Sequence, residues 1–308
     1  MNDRQWQLER DFARFDHSTA VATIDGDLTI GHPVFHAGDG PPLLVMHELP
    51  GLVQPCVDFA GRLIQLGFHV YMPHLVGPLL RKAPAGNLLR LCVSREFARL
   101  RAGVSAPITD WLRHLAGRIA ETSGHPRVGA IGMCLTGAFV IPLLIVPSVR
   151  AAVASQPGIP LNLLGLVLGE HFAGGRLASR INVSDADLTS AVEHCRREGK
   201  SLVIQRFAAD RLCPRARTAR LADAFAGCVD SLEYETSPRR GAALLPPHAL
   251  LTEEFDRAHP PGAAVPASDP TERALAKLAA FFHHHLAPPS AEPDLIEPAP
   301  KPLLHRGA

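Results

Sequence analysis

Arg127-Val128-Gly129-Ala130-Ile131-Gly132-Met133-Cys134-Leu135-Thr136-Gly137 is the stretch that decides the fold. Its opening, Arg127 to Gly132, is a short apolar run that reads as a buried strand, and Ala138 to Ile145 beyond it reads as an apolar helix. A cysteine stands at the turn between them. A nucleophile lifted out on a sharp strand-to-helix turn needs small residues two positions before and after it, where the backbone folds back on itself. Gly132 meets the first requirement. Thr136 occupies the second, where a β-branched residue would pay heavily for a positive φ; Gly137, one residue later, is placed to take over the close packing. The helix expected behind Cys134 would present free N–H groups and a positive dipole end, which favour a thiolate and an oxyanion. Taken alone, the segment also fits a buried structural cysteine.

Working outward, the same alternation recurs. Pro42–Met46 is an apolar strand that ends in His47-Glu48, followed by helical spacing over 57–64. Phe68–Met72 is a strand closed by Pro73. An amphipathic stretch lies near 94–101, and Asp110 opens a helix with Trp111, Leu112, Leu115 and Ile119 on one face. After the cysteine come a strand at Ala151–Ser155, a helix at Ala186–Glu198 with Asp185 as N-cap, a strand at Leu202–Phe207, a helix around Leu221–Phe225 and a strand at Leu232–Thr236. Asp269-Pro270 is a good start for a final helix over Thr271–His285, and His283 to His285 suit its C-terminus better than a metal tract. Strands alternating with helices predict a mainly parallel, doubly wound α/β sheet covered on both faces. The domain is expected over 25–287, after a polar lead-in at 1–24 and before a Pro/Ala-rich tail at 288–308 that lacks periodicity.

Composition excludes several function classes. Lys+Arg 31 against Asp+Glu 30 leaves a net charge of +1, so nothing points to a nucleic-acid partner or an anionic membrane. No run of about 18 apolar residues offers a spanning helix. The charged start MNDRQWQLERDFARF has no apolar signal region. With six cysteines but no export signal, reduced thiols and a cytoplasmic location are expected. There is no C-x-x-C pair, no His-Glu-x-x-His and no glycine-rich dinucleotide loop, so neither metal nor cofactor is expected.

The turn needs partners, and chain order supplies them: nucleophile, acid, histidine. Strand Leu202–Phe207 runs into Ala208-Ala209-Asp210, and an Asp just past the carboxyl end of a parallel strand is where the acid belongs; a turn or cap role would suit it too. His248 follows the last strand, in Pro246-Pro247-His248-Ala249. His259 is the rival, in a Pro-rich stretch farther from the strand, and with 16 histidines in the chain a loop histidine without a role is the bland reading.

At three separated segments the chain resembles the dienelactone hydrolase family of the α/β-hydrolase superfamily: His47-Glu48-Leu49-Pro50-Gly51-Leu52, Gly132-Met133-Cys134-Leu135-Thr136-Gly137, and Asp210-Arg211-Leu212-Cys213-Pro214 with His248 downstream. The resemblance implies an α/β-hydrolase fold with Cys134 as nucleophile, His248 as base and Asp210 orienting it. It implies that Glu48 controls the protonation of the thiol, which is sound chemistry because a carboxylate beside a thiol discourages a second charge yet can accept the proton. It implies an oxyanion hole from the N–H groups of Leu135 and Leu49, and an arginine for an anionic substrate, for which Arg95 is the candidate; a solvated helix arginine fits Arg95 equally. Thr136-Gly137 departs from the family's Gly-Gly, and the chain is longer. The expected activity is cysteine-dependent hydrolysis of a small activated ester or lactone through an acyl-enzyme. The rivals are a catalytically silent ligand-binding protein of the same fold and a redox-active thiol protein.

Overall fold

The computed structural model describes residues 8–23, 25–97, 106–158, 178–236, 247–260 and 264–288. Eight strands form one sheet: β1 (Ala13–Val21), β2 (Leu28–Ala37), β3 (Pro42–Met46), β4 (His69–Pro73), β5 (Val128–Met133), β6 (Val149–Ser155), β7 (Ser201–Phe207) and β8 (Val229–Tyr234), in the order β1-β2-β4-β3-β5-β6-β7-β8. The β1–β2 and β2–β4 pairs are antiparallel. Every pair from β4 to β8 is parallel. This is the α/β-hydrolase arrangement expected from the sequence.

The central strands are apolar on both sides because both sides are covered. Along β3, Leu44 and Met46 face one core while Leu43 and Val45 face the other; Val128 and Ala130 of β5 are likewise split from Ile131 and Met133. The first core is closed by α3 (Pro107–Ser123), whose Ile108, Trp111, Leu112, Leu115 and Ile119 are buried. It is also closed by α5 (Asp185–Glu198) and α6 (Arg215–Ala224). The second is closed by α1 (Gln54–Gln65), α7 (Glu253–Ala258) and α8 (Pro270–Leu286). Gly129 lets α8 lie close to the sheet: a Cβ there would stand 2.6 Å from the Phe282 ring and 2.5 Å from Leu43.

Two expectations need correction. The polar lead-in expected over 1–24 contains β1, which pairs along its whole length with β2 and so belongs to the sheet. Most β1 side chains are at least partly exposed, as suits an edge strand, and they hide its periodicity. The cap of α5 is Ser184, whose hydroxyl accepts from the Asp187 N–H, with Asp185 in the first turn instead. The amphipathic stretch near 94–101 begins just past α2 (Pro84–Val93), at its C-cap Ser94, and runs into a 3₁₀ turn at Arg95–Phe97; its remainder, and nearly all of the tail, lie outside the described residues.

Candidate active site

Parallel strands bring their carboxyl ends to one edge of the sheet, and the chain uses five of those ends. Glu48 follows β3, Cys134 follows β5, Gln156 follows β6, Asp210 follows β7 and His248 lies beyond β8.

Cys134 has φ 55°, a left-handed backbone that non-glycine residues hold at a cost of about 1–3 kcal/mol and that concentrates at functional sites. The surroundings enforce it. A Cβ on Gly132 would lie 2.2 Å from the carbonyl oxygen of Thr136, and one on Gly137 would lie 2.8 Å from Cα of Pro157. The Gly158 N–H donates to the Cys134 carbonyl at 2.8 Å, and a Cβ on Gly158 would sit 3.4 Å from Sγ. The sulfur thus looks onto a wall of bare backbone.

Thr136 is not strained. The positive φ falls on Cys134 itself, and Thr136 is absent from the positive-φ positions among the described residues. Its hydroxyl accepts from the Met133 N–H at 2.9 Å and stands 3.1 and 3.2 Å from the carbonyls of Met46 and His47, to one of which it can donate. It therefore ties the turn to the end of β3, where Glu48 begins. Thr136→Val keeps the shape and removes this tie; with the Met133 N–H left unpaired in the interior, stability falls by about 1–3 kcal/mol, readable as a lower urea midpoint at unchanged slope.

The helix expected behind the thiol is shorter than the sequence suggests. A 3₁₀ segment, Cys134–Ala138, is followed only by α4, Val140–Leu143. Pro142 contributes no N–H, and so short an element carries little macrodipole. Stabilisation of a thiolate must come chiefly from side chains.

Asp210 and His248 meet. Nδ1–H of His248 donates to Oδ2 of Asp210 at 2.7 Å, while Oδ1 accepts from the N–H groups of Leu212 and Cys213 at 2.8 and 3.0 Å. Those bonds leave Nε2 as the free face of the ring; it is buried and has no hydrogen-bond partner among the described residues. Burial alone would lower the proton affinity of this imidazole, but the neighbouring charges of Cys134 and Asp210 outweigh it and hold the pKa well above its ordinary value. His259 is engaged elsewhere: Nδ1 bonds the Phe255 carbonyl at 2.7 Å and Nε2 bonds Glu272 at 2.7 Å, joining α7 to α8.

Glu48 is buried at the same edge. Its Oε1 accepts from Nε2 of Gln156 at 2.9 Å and from the hydroxyl of Thr252 at 3.2 Å. Burial pushes its pKa up to about 7; His248 opposes the rise, Glu253 adds to it, and the two donors oppose it. His47 is a clamp for this segment. Nε2 accepts from the Leu75 N–H at 3.0 Å, so Nδ1 carries the hydrogen and donates to the Glu48 carbonyl at 2.8 Å. Burial lowers the pKa of His47 to about 4, so it stays neutral in that role. Leu49 and Leu135 are both buried in the core against which Cys134 packs.

Arg95 is exposed on its 3₁₀ turn, beside Glu96, which bonds His32 at 3.0 Å. None of the described contacts brings it to Cys134. Two buried arginines that sequence reasoning passed over do shape the site. Arg206 donates to the carbonyls of Cys213 at 2.8 Å, Asp210 at 3.0 Å and Ala208 at 3.2 Å, fixing the loop that carries Asp210. Arg217 donates to the carbonyls of Pro157 at 3.0 Å, Leu212 at 3.1 Å and Arg180 at 2.8 Å, joining the loops after β6 and β7. A charged residue inside the otherwise apolar Leu202–Phe207 run was the available signal for Arg206. Gln156, at φ 36°, had none, because its neighbours in space are remote in sequence.

No family model matches the chain, and no curated protein matches it. Among solved structures it is similar to a putative dienelactone hydrolase from Klebsiella pneumoniae subsp. pneumoniae MGH 78578, with 16% identity over 88% of this chain and 98% of that one and a TM-score of 0.47. It is similar to the Pyrococcus furiosus esterase Pf2001, with 12% identity over 93% and 95% and a TM-score of 0.48. It is also similar to a dienelactone hydrolase-like promiscuous phosphotriesterase, P91, from metagenomic libraries, with 17% identity over 89% and 99% and a TM-score of 0.48. No helix among the described residues is long and apolar enough to cross a membrane.

Proposed function

We propose that the chain is a cysteine-dependent hydrolase of small activated esters or lactones, working through an acyl-enzyme on Cys134. The observation that carries this reading is the conjunction of a left-handed Cys134 at the carboxyl end of β5 with a His248 whose Nδ1 is tied to Asp210 and whose free Nε2 is coupled to the charge of that cysteine.

In this reading Sγ gives its proton to Glu48 while His248 stands as imidazolium on Asp210, and the thiolate adds to the substrate carbonyl. The oxyanion is received by the N–H groups of Leu135 and Leu49. Collapse of the tetrahedral species expels the alcohol or opens the lactone, with imidazolium His248 giving its proton to the leaving oxygen. His248 then takes a proton from water, which attacks the thioester; the acid departs, and Glu48 returns its proton to sulfur. Asp210 keeps the ring in the required tautomer throughout. Arg95, on its exposed 3₁₀ turn, is the cation proposed for an anionic substrate group.

The test compares two histidines with p-nitrophenyl acetate as substrate. His248→Ala lowers kcat/KM by about 10³-fold or more. His259→Ala leaves kcat/KM within a few-fold and lowers the melting temperature, because it releases Glu272 and α7. Equal activity in wild type and His248→Ala would sink the assignment.

A further inference from the structure

Behind Glu48 runs a continuous chain of buried polar side chains. Nε2 of Gln205 donates to Oγ of Ser155 at 3.1 Å, Ser155 donates to Oε1 of Gln156, and Nε2 of Gln156 donates to Oε1 of Glu48. The sense of the chain follows from its end. An ionised carboxylate only accepts; Gln156 therefore shows Glu48 its NH2 and turns its Oε1 to Ser155, whose one hydrogen goes there and whose lone pair takes the Gln205 amide. Thr252 donates to the same Oε1. Two donors converge on one oxygen, and neither uses Oε2.

Gln156 is held in this pose against its backbone preference. It is fully buried, its φ is 36°, and its N–H is spent on the Gln205 carbonyl at 2.6 Å. It also opens the loop whose Pro157 packs on Gly137 and whose Gly158 lies against Sγ of Cys134. A strained, buried amide aimed at a buried carboxylate, beside the nucleophile, is poorly explained by packing alone.

We propose that Gln156, seconded by Thr252, is a positioning residue of the reaction: it occupies Oε1 of Glu48, so that the proton released by Cys134 is received on Oε2. This rests on the assignment of Glu48 as a proton acceptor for the thiol, and it deepens that assignment. In the step itself the S–H bond breaks, an O–H bond forms on Oε2, and the electron pair stays on sulfur for attack. The charged and titratable groups that face Glu48 are His248, which favours its ionised form, Glu253, which opposes it, and the buried thiol of Cys56. Donors on a carboxylate favour its anion. Loss of either donor therefore moves upward the pH at which Glu48 becomes able to accept.

The test uses the whole chain and two readouts over a pH series: the rate of alkylation of Cys134 by iodoacetamide, and kcat/KM for p-nitrophenyl acetate. Gln156→Asn tolerates the left-handed backbone but is one methylene too short to reach Glu48; Gln156→Gly removes strain and donor together. The acid limb of both profiles is expected to move up by about half a pH unit or more in each variant. Thr252→Val shifts it the same way, and Thr252→Ser restores it. In a Glu48→Gln background the Gln156 substitutions no longer move the limb. A profile that drops in height with its limb unmoved would overturn the proposal and leave Gln156 a structural residue. Should neither Gln156 variant fold, the Val and Ser variants of Thr252 decide on the same criterion. If wild type proves to hydrolyse no ester, the hydrolase reading falls by itself, while the alkylation profiles still decide on Gln156.

Discussion

Cys134→Ala lowers kcat/KM for p-nitrophenyl acetate by a factor on the order of 10⁴ to 10⁶, the scale seen when a member of a catalytic triad is removed. The loss is expected to be near complete because neither of the other thiols described near the site can substitute. Cys213 and Cys56, the buried cysteines near the site, have pKa values pushed up, for Cys56 to about 12, chiefly by burial. Neither is a nucleophile at neutral pH. The fold should hardly notice the change. Alanine keeps the left-handed strain at position 134, and the side chain lost is only partly buried, so stability moves by less than about 1 kcal/mol. Steady-state kinetics beside a urea titration separate the two effects. Wild-type turnover in the alanine variant would remove Cys134 from the chemistry.

Glu48→Gln is expected to make the protein more stable and less active, with a stability gain that depends on pH. The folded state raises the pKa of Glu48 from its ordinary 4.5 to about 7, first through burial. A group whose folded pKa is raised contributes fully below its unfolded pKa, and that contribution is lost as pH rises through the folded value. The wild type therefore loses stability between about pH 4.5 and 7 and regains none of it above. The ceiling on the loss is about 3 kcal/mol, from 1.36 kcal/mol for each pKa unit. Glutamine is nearly isosteric and its Oε1 can still accept from Gln156 and Thr252, so the substitution removes the charge and little else. Urea midpoints of wild type and variant should be close at pH 5 and well separated at pH 8, with the variant higher. A gap of constant size at both values would mean that Glu48 does not titrate as its burial demands.

The strands at the middle of the sheet were readable because burial on both faces leaves them no choice of residue. Pro42–Met46, Val128–Met133 and Ser201–Phe207 are apolar runs broken mainly by the glycines that α8 and the turn require and by the Gln205-Arg206 pair that serves the site. The turn at Cys134 and the pairing of Asp210 with His248 are legible for a related reason: strand ends mark loops, and chain order sorts the loops. β1 was not readable, since an edge strand wet on much of its surface carries little apolar pattern. The part played by Thr136 was misjudged because the sequence gives its shape but not its hydroxyl's partners, which lie 89 and 90 residues away. Gln156, Thr252 and Arg217 act through bonds that span 108, 204 and 60 residues, and local pattern has no access to such distances.

Gly129 and the helix that fits against it set an order of events during synthesis. The strand, the turn and the Pro157-Gly158 wall that shape the thiol lie within residues 128–158 and can assemble early as the chain leaves the ribosome, N-terminal parts first. Asp210 arrives some fifty residues later. His248 is later still, in a segment pinned from both sides: Arg62 of α1 donates to the Leu251 carbonyl and Asp256, and His259 is fastened to α8. Only when Phe282 enters the slot that Gly129 leaves open is that segment locked. A nascent chain thus carries Cys134 on its turn before Asp210 and His248 stand beside it, and on the proposed function it gains activity only when α8 has docked.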